Sequence, residues 1–312
     1  MSIVSAIIVN WNGKELLADC LDSLRAQTRL VDEILVVDNG SRDGSPAMIR
    51  EQYPDVTLIE LEENKGFSIA NNIGLQRARG DYIALLNNDL LIDHKWIAHM
   101  IDGLESDVLV GSCACKMLFY DQRDVIDSAG INVLKHGVGV NRGHFERDDI
   151  PFQRPSRVFG ACAGAAIYRA TMLRELGGFD EDFYIYFEDV DLSFRAQLSG
   201  YDCLYVPQAV AFHHHGASSA SFGLGKKYYY LARNSLFVIV KNMPSPLLRR
   251  YLPLVVAVPL SRALYGAITG QIGLYTRACL DDLRLLPRML RKRRAIQEAA
   301  RRTPEEIAAR LS

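Results

Sequence analysis

Apolar runs and amphipathic stripes alternate along the first ninety residues. "IVSAIIVN" (3–10) is a short apolar run that reads as a strand. In "GKELLADCLDSLRAQ" (13–27) the apolar residues Leu16, Leu17, Cys20, Leu21 and Leu24 recur at helical spacing. "EILVVDNGS" (33–41) is a second buried strand that breaks into polar residues. A helix near 45–53, the strand "VTLIEL" (56–61), the helix "FSIANNIGLQRA" (67–78) and the strand "DYIALLN" (81–87) follow. This βαβαβαβ order predicts an α/β fold, a doubly wound, mainly parallel sheet flanked by helices. Such sheets bind ligands beyond the carboxyl ends of their strands. Polar clusters fall there at 10–12, 38–41 and 87–89.

Beyond residue 108 the pattern is less regular, with strands expected near 108–118 and 131–140. Within 162–207 it predicts a short strand, a helix over 169–176 stopped by Gly177-Gly178, a helix from about Glu188 and a strand at 203–206. After "AFHHHGASS" (211–219), "KKYYYLARNSLFVIVKN" is amphipathic and 251–275 is mostly apolar. The division expected is a 1–225 α/β domain, with halves 1–105 and 106–225, followed by a helical region over 226–312.

Composition adds one asymmetry. The 312 residues carry a formal net charge of −1. From Pro246 onward there are 13 Lys+Arg against 5 Asp+Glu, or +8, which leaves 23 against 32, or −9, in the rest. The body is acidic and the tail is drawn to something anionic. The six cysteines form no CxxC and no zinc spacing, which favours a reducing compartment, and Cys113 and Cys115 share one face of a strand. "MSIVSAIIVNWNG" has neither a basic n-region nor a small-residue cleavage site, so no secretory signal is expected.

Several polar clusters carry candidate chemistry, each with a plainer alternative. Asp38, ending a strand, can accept hydrogen bonds from a nucleobase or a ribose, or simply close an Asx-turn. Asn87 and Asp89 offer oxygens of the kind hard cations such as Mg2+ or Mn2+ prefer. The alternative is a helix N-cap before "HKWIAHMI", a place that Asp93 already fills. "FEDVDLSFR" (187–195) packs Glu188, Asp189 and Asp191 together, which suits either a general base or an acidic first helical turn. His213, His214 and His215 can each supply imidazole to a metal. The chain has no GxGxxG and no Walker loop, and the 38–49 segment fails the calcium-loop pattern.

Six segments appear in family order: "VNWNG" (9–13), "VVDNGSRDGS" (36–45), "NKGFSIANNIGL" (64–75), "LLNNDLLI" (85–92), "GGFDEDFYIYFEDVDLSFR" (177–195) and "HHHGASS" (213–219). Over about residues 3–220 the chain resembles a family-2 glycosyltransferase with the GT-A fold, of the rhamnosyltransferase-like bacterial surface-polysaccharide subgroup. The resemblance implies transfer of a sugar, with inversion, from a nucleotide-sugar donor such as a dTDP-rhamnose-like one to a lipid-linked or glycan acceptor. It makes 1–105 the nucleotide-binding half and 106–225 the acceptor half. It implies donor contacts from Asn10, Asn12, Asp38, Asn39, Lys65, Asn71 and Asn88. Asn87 and Asp89 occupy the ends of the family's Asp-x-Asp motif, with Asn in the first place, and His213 matches the third ligand of the divalent cation. His214 and His215 differ from it by one slip in register. Asp189 matches the catalytic base beside Glu188, and Asp180, Glu181 and Asp191 are expected on the acceptor side.

The tail completes the expectations. Arg262 lies near the middle of 251–275, where a charge costs about 2.5–3.5 kcal/mol on insertion scales. Pro253 and Pro259 also interrupt the stretch. An interfacial or re-entrant segment beside the basic "RLLPRMLRKRRAIQ" (284–297), resting on anionic lipid, is expected in place of a span. The protein would then be peripheral at the cytoplasmic face of the cell membrane. A helical pair packed on the α/β body, or a homodimer contact, is the alternative. No nucleic acid is expected as a partner. Two rival functions stand beside this one, a nucleotidyltransferase and a catalytically inactive sugar-nucleotide-binding or scaffold subunit.

Overall fold

The computed structural model describes residues 2–214 and 223–312. Strands β1 (Val4–Asn10), β2 (Glu33–Asp38), β3 (Thr57–Glu60) and β4 (Tyr82–Asn87) are parallel, in the order β3-β2-β1-β4. The crossovers are α1 (Lys14–Arg25), α2 (Ser45–Gln52) and α3 (Phe67–Arg77). In α1 the expected stripe packs inward, with Leu17, Cys20, Leu21 and Leu24 buried.

The second half of the sheet is mixed. After β5 (Leu90–Ile92) and α4 (Trp96–Glu105) come β6 (Val110–Phe119), β7 (Ile126–Ser128), the paired β8 (Ile131–Val133) and β9 (Gly139–Asn141), and β10 (Ser156–Val158). β11 (Ala165–Arg169), α5 (Ala170–Leu176), α6 (Glu188–Leu198) and β12 (Asp202–His213) complete the body. β11 is antiparallel to both β4 and β6, and β12 is parallel to β6. Asp93 is not the N-cap of α4: that place belongs to Lys95, whose N–H donates to the Asp93 carboxylate at 3.1 Å. The strand expected at 203–206 runs on through Pro207 to His213. A register shift between Val206 and Val210 accommodates the proline, which has no N–H for the ladder.

The C-terminal region is not a separate unit. Helices α7 (Leu224–Asn242), α8 (Ser245–Ile268), α9 (Ile272–Glu298) and α10 (Pro304–Ala308) pack on the body. Phe237, Ile239, Met289 and Ile307 join Ile131, Phe183, Val190 and Phe194 in one hydrophobic cluster. The chain end hydrogen-bonds the backbone of Val133 and Lys135. Much of the tail's positive charge is used here: Arg301 pairs with Glu175, Arg302 with Asp202, and Lys292 with Asp180 and Asp182. Part of the anionic partner read from the charge asymmetry is therefore the protein's own body.

α8 departs from expectation. It runs as one helix through both Pro253 and Pro259, and by length and composition alone it is apolar enough to cross a membrane. Arg262 does not lie on its outer side; the guanidinium turns inward and donates to the Ala232 carbonyl at 2.7 Å. Leu252, Val256, Leu260, Leu264 and Ile268 are spaced four apart, so they form a ridge, and all are exposed, Leu260 by 67% and Ile268 by 77%.

Candidate active site

Strand register brings the site together. β12 lies between β5 and β6, with His213 opposite Leu90 on one side and Phe119 on the other. Asp89 immediately precedes Leu90, and Asp127 lies on β7, which pairs with β6. His213 consequently sits between two carboxylates, with Nδ1 2.6 Å from Asp127 Oδ2 and Nε2 3.3 Å from Asp89 Oδ1. Burial pulls the His213 pKa down, but the two carboxylates outweigh it and raise it to about 9. Successive residues of a strand face opposite ways, and His214 stacks its ring on Tyr120 instead. Of the three histidines, His213 is the one that faces Asp89; His215 and the rest of the "HHHGASS" motif from 215 on lie outside the described residues.

The turn before β11 ties this cluster to α6. Asn87 N–H donates to Gly164 O at 2.7 Å, and Ala163 N–H donates to Asp189 Oδ2 at 3.3 Å. A cavity of about 340 Å3 is lined by Asn87, Asp127, Glu188, Asp189 and His213, with Tyr186 among its apolar walls. Asp189 and His213, far apart in the chain, line this one cavity, and Asp89 adjoins it through His213. Burial lifts the Asp189 pKa above the ordinary carboxylate value in spite of the N–H groups of Ala163 and Val190. Burial and then the Asp189 charge push Glu188 well above its own ordinary value. Glu188 Oε2 is buried without a hydrogen-bond partner among the described residues. Burial thus disfavours the charged form of both carboxyls, and the Asp189 charge adds to the upward push on Glu188.

The loop that delivers Asp189 is strained. Tyr184, Tyr186 and Phe187 all have positive φ, near 65–67°, which is unfavourable for side chains of this size. Helix α7 holds them. Asn234 Nδ2 lies 2.8 Å from Phe183 O, 2.8 Å from Ile185 O and 2.7 Å from Tyr186 O, while Arg233 donates to Asp182 O and Phe183 O. Gly66 is required beside this loop, because a Cβ there would come within 2.6 Å of the Tyr184 ring.

The residues expected on the donor form a web at the ends of β1, β2 and β4. Asn10 Nδ2 donates to Asp38 Oδ1 at 3.0 Å, Asn88 Nδ2 donates to Asn10 Oδ1 at 2.7 Å, and Ser41 N–H donates to Asp38 Oδ2 at 2.9 Å. Asp38 thus closes a turn as well as ending a strand. Asn12 accepts from Arg42 N–H, and Asn39 accepts from Lys65 N–H. Asn71 is buried and donates to Phe67 O within α3, so it is occupied with its own helix. A Cβ on Gly13 would lie 2.2 Å from Asn88 Nδ2, which explains the glycine of "VNWNG".

The acceptor-side expectation is corrected for two residues. Asp191 is fully buried, paired with Arg195 at 2.8 Å and Lys241 at 2.7 Å and hydrogen-bonded by Asn242. Asp180 pairs with Lys241 and Lys292, each at 2.5 Å. Burial alone would raise both pKa values, but the surrounding cations outweigh it and hold both carboxyls below their ordinary range. These acids bolt α7 and α9 to the loop that carries Asp189. Glu181 is exposed and accepts from Asn72 Nδ2 at 3.1 Å. Asp127, Arg233, Asn234 and Lys241 were missed; a carboxylate inside the apolar "VIDSA" run was the available signal for Asp127.

The donor types fit a hard divalent cation, with carboxylates from Asp89 and Asp127, an amide oxygen from Asn87 and imidazole from His213. They are arranged as a carboxylate–imidazole–carboxylate row, and among the described residues no three acidic, His or Cys side chains surround a common point. His213 becomes a ligand only as neutral imidazole.

Comparison with known proteins agrees with this geometry. The family model "Glycosyl transferase family 2" matches residues 5–177, more than half of the chain, and "Glycosyl transferase family group 2" matches 108–278. An O-antigen biosynthesis protein, RfbC, of Myxococcus xanthus is 30% identical over 244 residues, or 73% of this chain; the match spans only 18% of that protein's length. The N-acetylglucosaminyl-diphospho-decaprenol L-rhamnosyltransferase of Mycobacterium tuberculosis is 26% identical over 243 residues, 70% of this chain and 78% of the relative. In fold, the chain is similar to a Pyrobaculum calidifontis mannosyltransferase solved with GDP-Man and Mn2+. Their TM-score is 0.56 at 22% identity, covering 96% of this chain and 85% of that one. With a sheet of the GT-A type and a family model spanning most of it, the chain belongs to glycosyl transferase family 2.

Proposed function

We propose that the protein is an inverting, divalent-cation-dependent glycosyltransferase of bacterial surface-polysaccharide synthesis. It moves a sugar, of the dTDP-rhamnose kind, from a nucleotide to a lipid-linked or glycan acceptor. The observation that carries this reading is the cavity lined by Asp189, Asn87, Asp127 and His213, with Asp89 behind His213 at 3.3 Å. The activity named for the Mycobacterium tuberculosis relative supports the donor and acceptor classes.

Asp189, ionised and half-buried, takes the proton from the acceptor hydroxyl as that oxygen attacks the anomeric carbon. The bond from that carbon to the diphosphate oxygen breaks on the opposite face, and the nucleoside diphosphate leaves with the electron pair. One displacement inverts the centre, and Glu188, whose charged form burial and the Asp189 charge disfavour, is a poor competing nucleophile. Asp89, Asn87 and His213, with Asp127 behind the imidazole, would hold the divalent cation, which when bound neutralises charge growing on the leaving diphosphate. Asn10, Asp38 and Asn88 form the floor under the nucleoside.

The exposed ridge of α8 and the outward Arg249 and Arg250 favour a peripheral seat on the anionic inner face of the cell membrane. The rival functions part from this one in a single experiment. Purified protein is screened by thermal shift against dTDP-rhamnose, UDP-GlcNAc and GDP-mannose, with and without Mn2+, and Asp189→Asn is assayed beside wild type. One nucleotide sugar stabilises the protein only with metal, and the variant keeps that binding and loses transfer. Transfer unchanged in the variant rejects the assigned base; binding without transfer in wild type favours the inactive subunit.

A further inference from the structure

Beside the active-site cavity lies a second one, of about 450 Å3, lined by Tyr184, Lys226, Tyr229, Tyr230, Leu274 and Arg277, with Gly225 and Gly273 in its walls. The two share a wall. On the strained loop, Tyr184 borders the groove while Ile185, Tyr186 and Phe187 border the catalytic cavity. On α7, Tyr229 and Tyr230 border the groove while Leu231 borders the cavity. Tyr184 and Tyr230 stack with ring centres 5.0 Å apart, which makes that wall rigid. Arg277 is exposed, sits 5.5 Å from the Tyr229 ring centre and has no carboxylate partner among the described residues. The nearby Asp281 is engaged by the Tyr229 hydroxyl at 2.5 Å. Ile272, next to Gly273 of the groove wall, belongs to the corner between α8 and α9, which exposes Leu264, Ile268 and Ile272.

The order across this face is catalytic cavity, cationic aromatic groove, apolar corner. That is the order of parts in an amphiphile made of a sugar, a diphosphate and a hydrocarbon chain. We propose that the groove between α7 and α9 binds the diphosphate of a lipid-linked acceptor. Arg277 and Lys226 contact the phosphoryl oxygens, and the chain leaves over Ile268 and Ile272 toward the membrane. A diphosphate diester carries two negative charges, and the groove presents two cations, one of them a guanidinium suited to bidentate contact. Tyr229 and Tyr230 supply the apolar-to-polar boundary at which a headgroup sits. The assignment rests on the lipid-linked reading above and locates that acceptor's anchor.

The test is titration of the full chain, in detergent and EDTA so that cation-borne diphosphate binding at Asp89 is switched off. The probes are farnesyl diphosphate, farnesol and inorganic diphosphate. Wild type binds farnesyl diphosphate best, and Arg277→Ala and Lys226→Ala each weaken it about tenfold, the loss expected of one charge-assisted contact. Arg284→Ala, exposed on α9 outside the groove, leaves it unchanged. Tight binding by wild type that Arg277→Ala does not weaken, or that Arg284→Ala weakens equally, overturns the groove and leaves the lipid-linked reading intact. Wild type that ignores farnesyl diphosphate overturns that reading itself. Equal binding of farnesol removes the diphosphate from the assignment, and equal binding of inorganic diphosphate removes the lipid.

Discussion

Asn234 gives the sharpest test of how Asp189, the proposed catalytic base, is positioned. Its amide is fully buried on α7 and reaches the carbonyls of Phe183, Ile185 and Tyr186, in the loop where three residues have positive φ. Asn234→Leu keeps most of the volume and deletes the donor. Phe183 O retains Arg233, so the carbonyls of Ile185 and Tyr186 are left without a donor. A buried unsatisfied carbonyl costs about 1–3 kcal/mol, and these two are part-buried beside the cavity, so the loss is about 1–3 kcal/mol in all. The left-handed residues cost about 1–2 kcal/mol each, and that strain persists only while the hydrogen bonds offset it. The loop therefore relaxes before the fold melts, and Asp189, two residues past Phe187, moves with it. A shift near 1 Å costs about a hundredfold in rate. The donor web on β1, β2 and β4 is untouched. Initial rates of sugar transfer should show kcat about a hundredfold lower with donor KM little changed. Full kcat in a variant whose Tm has fallen, or a raised KM at unchanged kcat, would refute the positioning role.

Other changes have equally definite outcomes. Glu188→Gln mimics the neutral form that burial favours and should keep transfer near wild type, while Asp189→Asn loses about 10²–10⁴-fold; loss in both would mean that Glu188 works as an anion. Because Asp189 is raised above its ordinary 3.8 and acts ionised, the rate should fall as pH drops through a value above 3.8, and an acid limb at or below 3.8 contradicts the burial argument. Asp191→Asn leaves Lys241 and Arg195 buried with less counter-charge and should cost about 3 kcal/mol or more in chemical denaturation. Asp180 and Asp191 have folded pKa values below the unfolded one. Their contribution is complete above the unfolded carboxylate value of about 3.9 and is lost as pH falls through the folded values. Acid unfolding of wild type followed by circular dichroism should therefore lie below that of Asp191→Asn. Leu260→Glu with Leu264→Glu, on the exposed ridge, should abolish co-sedimentation with phosphatidylglycerol vesicles while Tm holds; unaltered sedimentation removes α8 from the membrane surface.

The parallel half of the sheet is legible in the sequence because buried strands read as apolar runs and their crossovers as helical stripes. Asp89, Asp189 and His213 are legible for a related reason: each follows or ends a strand, or opens a helix, at the ligand-binding rim. What escapes is pairing at long range. Asp127 looks like an ordinary turn acid until His213, 86 residues later, arrives beside it. Asp180 resembles an acceptor ligand because its cations, Lys241 and Lys292, come 61 and 112 residues afterwards. The prolines mislead for local reasons. Pro207 is absorbed by a bulge, and α8 continues through Pro253 and Pro259.

The same long-range pairing explains why the tail cannot be treated as a detachable anchor. Its charge of +8, counted from Pro246, nearly matches the −9 of the rest, and α7 just before it adds further cations to the same local pairing. Lys241 and Lys292 neutralise the acids at the root of the catalytic loop, Arg288 pairs with Asp182, and Arg233 and Asn234 hold the loop's carbonyls. An acidic loop brought this close to an ionised base and an incoming diphosphate would otherwise repel both. Helices α7 and α9 remove that repulsion from the back of the loop, while the proposed diphosphate groove lies between them and the exposed ridge lies on α8. On the proposed reading, one helical region both holds the loop that carries Asp189 and offers the surface for acceptor and membrane, through different side chains.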